Sequence, residues 1–272
     1  MPIRSVDKKR LAMLDKEPTH QFRCEYCSNY VPSFSPDIGI CPFCELSADK
    51  TTDQLKANKP LFAALSELSD NITNQKFDDI AKSFSKMEEL QKSPQALYAK
   101  GVISLMLSDK EYTKRDYATP NGYMEDNADA INIGLVHFSA AKAAFFAAIS
   151  LADKQPSQLS TYTKFLAYFR LKDVYNAKRE LSLLKTAAPD SAIAKYADML
   201  YCSMVHDKKL NDSIAKVVDI GIPNAFFYYS DSLAKGKNFK EAKRIIDRLL
   251  KNVEIPKGRK LLLGIERAQT IM

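Results

Sequence analysis

Four of the five cysteines fall within residues 22–45, FRCEYCSNYVPSFSPDIGICPFCE, as Cys24, Cys27, Cys41 and Cys44. The spacing is C-x2-C, thirteen residues, then C-x2-C. Each pair can close a tight knuckle, and two knuckles can converge four thiolates on one tetrahedral metal ion. A loop with so few apolar residues cannot build a core, so metal binding must supply its folding energy. For structural zinc that contribution is roughly 10–16 kcal/mol at neutral pH. The leader MPIRSVDKKRLAMLDKEPTH lacks an apolar signal core, so disulfides in an oxidising compartment are the weaker reading. With four protein ligands, no position is left for a substrate, and the expected role is structural.

The stretch resembles the zinc-ribbon and rubredoxin-like knuckle group in its short form, C-x2-C with C-P-x-C. Phe22 precedes the first pair and Pro42 sits inside the second. The resemblance covers about a tenth of the chain and implies a bound Zn2+. Iron also accepts four thiolates, but no flavin, nicotinamide or di-iron pattern accompanies the site. These knuckles usually carry glycine after the second cysteine, where this chain has Ser28 and Glu45.

The elements around the site read as helical. The chain has 272 residues, 8 glycines and no tryptophan, and Ala, Leu, Lys and Ser are abundant, a composition that favours helix. Residues 5–16 can form a short helix capped by Ser5 or Asp7, with Leu11 and Leu14 on one edge; a frayed arm competes with a docking helix. From Pro60 the apolar period becomes that of amphipathic helices. Leu61, Phe62, Leu65, Leu68 and Ile72 mark one face, and Ile80, Phe84 and Met87 the next. After a break at Ser93-Pro94, Leu97, Val102, Ile103 and Met106 mark a third. Residues 108–127 show no helical face and contain Tyr112, Tyr117, Tyr123 and a Pro-Asn-Gly turn, so a loop insertion is expected there. The organisation read from this is an arm (1–20), a ribbon (21–47), helices (48–107), the insertion, and further helices (128–272).

An internal repeat runs through the helices. Phe77-x2-Ile80-x3-Phe84 is echoed at Phe138, Ala141 and Phe145, at Val174, Ala177 and Leu181, and at Phe239, Ala242 and Ile246. The steps are 61, 36 and 65 residues, close to two, one and two units of a helix-hairpin repeat. Residues 161–194 resemble the tetratricopeptide repeat, with Tyr168, Ala177, Leu181 and Pro189 in matching places, although bulky Phe165 replaces the small residue of the first helix. The fold class expected is mostly α: a small β ribbon followed by a tetratricopeptide-like solenoid. That resemblance implies binding of an extended peptide or helix on the face lined by the first helices, with Tyr162, Tyr168, Tyr228 and Tyr229 as candidate contacts.

Signs of catalysis are lacking. His20, His137 and His206 are far apart, Cys202 reads as core, and no phosphate loop, dinucleotide fingerprint or serine elbow occurs. The net charge of +7 resides in residues 235–268, which hold eleven basic and four acidic side chains. Lys240, Lys243, Arg244, Arg248 and Lys251 lie at helical spacing as a basic patch. Dipole-complementing cations on a solvated face are the plain reading, and contact with nucleic acid the sharper one. The longest apolar run, around Ala143–Leu151, is shorter than a membrane span needs. The expectation is a cytoplasmic, non-catalytic adaptor or assembly factor with a protein partner and no membrane contact; the alternative is a nucleic-acid-associated regulator.

Overall fold

The computed structural model describes residues 6–27, 30–49, 92–116, 125–253 and 255–271. The predicted helical faces around residues 61–72 and 77–87 lie outside these residues. A short helix, α1 (Lys8–Leu11), runs into a 3₁₀ turn, Ala12–Asp15. Two antiparallel hairpins follow. Strand β1 (His20–Arg23) pairs with β2 (Tyr30–Ser33), and β3 (Ile38–Ile40) with β4 (Ser47–Asp49).

The remainder is helical. In order come α2 (Pro94–Asp116), α3 (Glu125–Lys154), α4 (Gln158–Leu171), α5 (Val174–Ala187) and α6 (Ala192–Met204). Then follow α7 (Leu210–Asp219), α8 (Ala225–Lys235), α9 (Phe239–Asn252) and α10 (Pro256–Ile271). The starts are locally encoded. Ser157, Asp173 and Ser191 cap α4, α5 and α6 by accepting backbone N–H bonds, and Pro94 opens α2, where its missing N–H costs nothing.

Each helix packs on the next, and α2, α4, α6, α8 and α10 also touch one another in turn. The helices therefore form two layers, with the even-numbered ones sharing a face. Ala177 and Ala242, the small residues of the repeat pattern, are fully buried, and their size lets neighbouring helices approach closely. The loop expected at 108–127 is corrected at both ends: α2 continues through Asp116, and α3 begins at Glu125. Lys, Glu and Arg favour helix through backbone propensity alone, without an apolar stripe, which explains the extension. The Ser108 hydroxyl donates to the Gly134 carbonyl at 2.8 Å and ties the pair together.

Residues 6–15 lie on the helices. Leu11 and Leu14 are buried, and Asp7 caps α1. Arg10 reaches Asp219 of α7 at 2.7 Å, and Arg248 of α9 reaches Asp15 at 2.6 Å and the Leu11 carbonyl at 2.9 Å. Arm, hairpins and helices consequently share one continuous apolar core. One helix segment, Gly134–Lys154, is long and apolar enough to cross a membrane by length and composition, exceeding what the run at Ala143–Leu151 alone indicates; 33% of its apolar window is buried against the array.

Candidate metal centre

The hairpins bring the four cysteines together because each C-x2-C pair occupies a strand-to-turn junction. Cys24 follows β1, and Cys41 follows β3. The second knuckle is closed by two backbone bonds, Cys41 N–H to the Leu46 carbonyl and Glu45 N–H to the Cys41 carbonyl, both 2.9 Å. Sulfur separations are 3.6 Å for Cys24–Cys44, 3.5 Å for Cys27–Cys41 and 3.7 Å for Cys27–Cys44. All four sulfurs lie within 4.8 Å of one another. Four thiolates bound tetrahedrally at Zn–S distances of about 2.3 Å would stand about 3.8 Å apart. The donor set therefore fits a single tetrahedral ion, and the four cysteines form no disulfide.

The thiols are buried and crowd one another. The Cys27 sulfur pushes the Cys24 thiol up, and burial, followed by the neighbouring sulfurs, pushes Cys44 up. A divalent cation at the centre reverses this, because its charge favours the deprotonated ligands. When bound, the ion would cross-link the two hairpins.

Glu45, the residue after Cys44, connects this centre to the helices. Its backbone takes φ +66°, the left-handed region that glycine adopts freely. Its side chain is fully buried. Arg170 of α4 donates to one carboxylate oxygen at 2.7 Å, while Lys257 of α10 and the Tyr228 hydroxyl of α8 donate to the other. Tyr162 donates to the Glu45 carbonyl at 2.7 Å, and Arg170 also reaches the Tyr98 hydroxyl of α2 at 3.3 Å. Burial disfavours the charged carboxylate, but Lys257 and Arg170 beside it outweigh that effect and hold the group down at about 2.

Further bonds seat the hairpins. Asn224 donates to the Ile40 carbonyl at 2.6 Å, and Phe34 N–H to the Gly221 carbonyl at 2.8 Å. Gly221 has φ +85°, and a Cβ there would lie 2.7 Å from the Ser35 nitrogen. Only glycine allows so close an approach.

The structure revises the reading of the candidate tyrosines. Tyr162, Tyr228 and Tyr229 are buried. Two of them bind Glu45, and the Tyr229 hydroxyl accepts from Val6 N–H at 3.1 Å. Tyr168 is half-buried against the core. The face that the repeat resemblance assigns to a foreign peptide is thus filled by the chain's own N-terminal segment. The signal that could have indicated this was the acidic side chain at the knuckle's usual glycine position. Arg170 and Lys257 carried no motif and were missed.

The basic patch is also reorganised. Lys243 pairs with Glu266 at 2.7 Å, Arg244 with Glu241 at 2.6 Å, and Arg248 with Asp15 at 2.6 Å. Lys240 and Lys251 remain exposed. Cys202 is core, as expected, with its sulfur 3.7 Å from the Ser213 hydroxyl.

Comparison of the chain with known protein families, curated proteins and solved structures finds no match. The functional reading accordingly starts from the site and the surface.

Proposed function

We propose that this protein is a non-catalytic adaptor or assembly factor: a tetratricopeptide-like helical array braced from within by a four-cysteine zinc knuckle. The observation that carries the interaction role is the outer face of α3. Leu135, Phe138 and Phe146 are exposed at helical spacing along it, by 50%, 39% and 59%, with Val136 exposed to one side and the Lys142 ammonium 4.6 Å from the Phe138 ring centre. Between Gly134 and Ala152 the helix has only one charged side chain, Lys142. Large apolar side chains exposed along one helix face suit contact with another macromolecule, and a stacked helical array is suited to present them. The partner in this reading is a protein helix or extended peptide.

The metal centre contributes stability and placement rather than chemistry. Its four ligands are supplied by the chain, and its second knuckle is buried against the helices. Supporting a brace, the polar contacts of Glu45 join α4, α8 and α10, elements far apart in sequence.

The nucleic-acid reading draws on the exposed Lys240 and Lys251. It is weakened by the carboxylates paired with Lys243, Arg244 and Arg248, which offset the charge a phosphate backbone requires. The test is affinity purification from the native source with wild-type protein and a Leu135→Glu/Phe146→Glu variant. A protein recovered by wild type and lost by the variant, at unchanged metal content and melting temperature, supports the adaptor reading. Recovery indifferent to the substitutions contradicts it, and steeply salt-dependent recovery of nucleic acid favours the alternative.

A further inference from the structure

The cluster around Glu45 has the make-up of a ligand site. Arg170, Lys257 and Tyr228 converge on one carboxylate, and Tyr162 reads the main-chain carbonyl of the same residue. The donors come from three helices of one layer, and the acceptor comes from the knuckle. Among the described residues, no other carboxylate lies within ion-pair distance of Arg170 or Lys257. Both cations keep an edge to solvent, with side-chain exposures of 19% and 29%, while the Glu45 side chain has none.

We infer that Arg170, Lys257, Tyr228 and Tyr162 form a carboxylate-binding site of the helical array. The knuckle fills it in cis through Glu45, and an acidic peptide segment of a partner fills it once the knuckle has lost its metal. This rests on the reading of the four cysteines as a metal site. Glu45 follows Cys44 directly, and its left-handed turn is held by the backbone bonds that close the second knuckle. A four-thiolate knuckle folds with its metal and loses its shape without it, so metal loss withdraws the carboxylate. Two partly buried cations then lose the carboxylate they share, with only the more distant Asp231 charge left near Lys257, a costly state that an incoming anion relieves. The Tyr162 bond to a backbone carbonyl specifies the anion as a glutamate within a peptide, rather than phosphate or a free acid.

Two measurements on the full chain test this. First, Glu45→Gly protein, in which glycine suits the left-handed turn, is melted in sodium propionate, propionamide or sodium chloride. Propionate restores the deleted group and raises the melting temperature saturably, by roughly 5 °C. Propionamide and chloride do not, and the rise disappears when Lys257→Met is added. Equal shifts with all three solutes overturn the proposal.

Second, binding of a short fluorescein-labelled glutamate-rich peptide is followed by anisotropy with wild-type chain before and after chelation. Affinity increases at least about tenfold on chelation and is lost in Arg170→Met. Equal affinity in both states, or no binding by the chelated chain, overturns the proposal, and this measurement decides alone if Glu45→Gly does not fold. Metal content is measured in parallel. A wild-type chain that never carries metal contradicts the metal reading, while the propionate result still reports on the cradle.

Discussion

Arg170 on α4 meets the Glu45 carboxylate at 2.7 Å, across 125 residues of sequence. Through this pair the four-cysteine knuckle and the helical array become one body. The carboxylate is completely enclosed and is shared with Lys257 and Tyr228, so the pair is not an exposed surface bridge.

Removing the acceptor should be costly. Glu45→Ala leaves Arg170 and Lys257 near each other without their carboxylate, and breaking a buried pair in this way costs about 3–5 kcal/mol. Chemical denaturation of metal-loaded protein should show this loss. A double cycle with Arg170→Met should show strong coupling, so that the double variant is no worse than the single Glu45→Ala.

Gly221→Ala probes the seat of the hairpins. The added methyl would lie 2.7 Å from the Ser35 nitrogen at a backbone φ of +85°. Strain and clash together should destabilise the protein by about 2 kcal/mol or more. Hydrogen exchange should place the new exposure in residues 30–40. An exchange pattern identical to wild type would contradict the close packing.

These contacts separate what the sequence discloses from what it hides. The knuckle was legible because metal coordination demands fixed ligand types at fixed spacing, and Cys24, Cys27, Cys41 and Cys44 meet that demand locally. The helices were legible where an apolar stripe marks them, as at Val102 and Ile103, which are buried in α2. At residues 108–116 the stripe fails and backbone propensity alone continues the helix. The partners of Glu45 were illegible because they lie on three helices brought together only by stacking. Tyr162, Tyr168, Tyr228 and Tyr229 read as candidate partner contacts from their spacing, but spacing could not reveal that Tyr162, Tyr228 and Tyr229 are buried on Glu45 and Val6 of the chain itself.

The basic helix α9 should respond unevenly to neutralisation. Arg248→Ala removes two contacts to the arm, the Asp15 carboxylate and the Leu11 carbonyl, and should cost about 1 kcal/mol, since the Asp15 end of the pair is open to solvent. Lys240→Ala and Lys251→Ala should change stability by less than about 0.5 kcal/mol. Thermal melts of the three variants measure the difference. A larger loss for the lysines would mean that they hold structure at this surface.

The apolar face of α3 should be dispensable for folding. Phe146→Glu replaces a side chain that is already 59% exposed, so its melting temperature should stay near the wild-type value while retention on a hydrophobic column falls. A large drop in stability would show that this face belongs to the core.

The central claim, a metal ion held by four thiolates as an internal brace, is tested most directly by elemental analysis and X-ray absorption of the purified chain. The account predicts one zinc ion per chain with four sulfur neighbours at about 2.3 Å, and loss of arm and hairpin protection when the ion is chelated. Metal-free protein with the arm and hairpins equally protected, or a first coordination shell containing nitrogen or oxygen in place of sulfur, would contradict it.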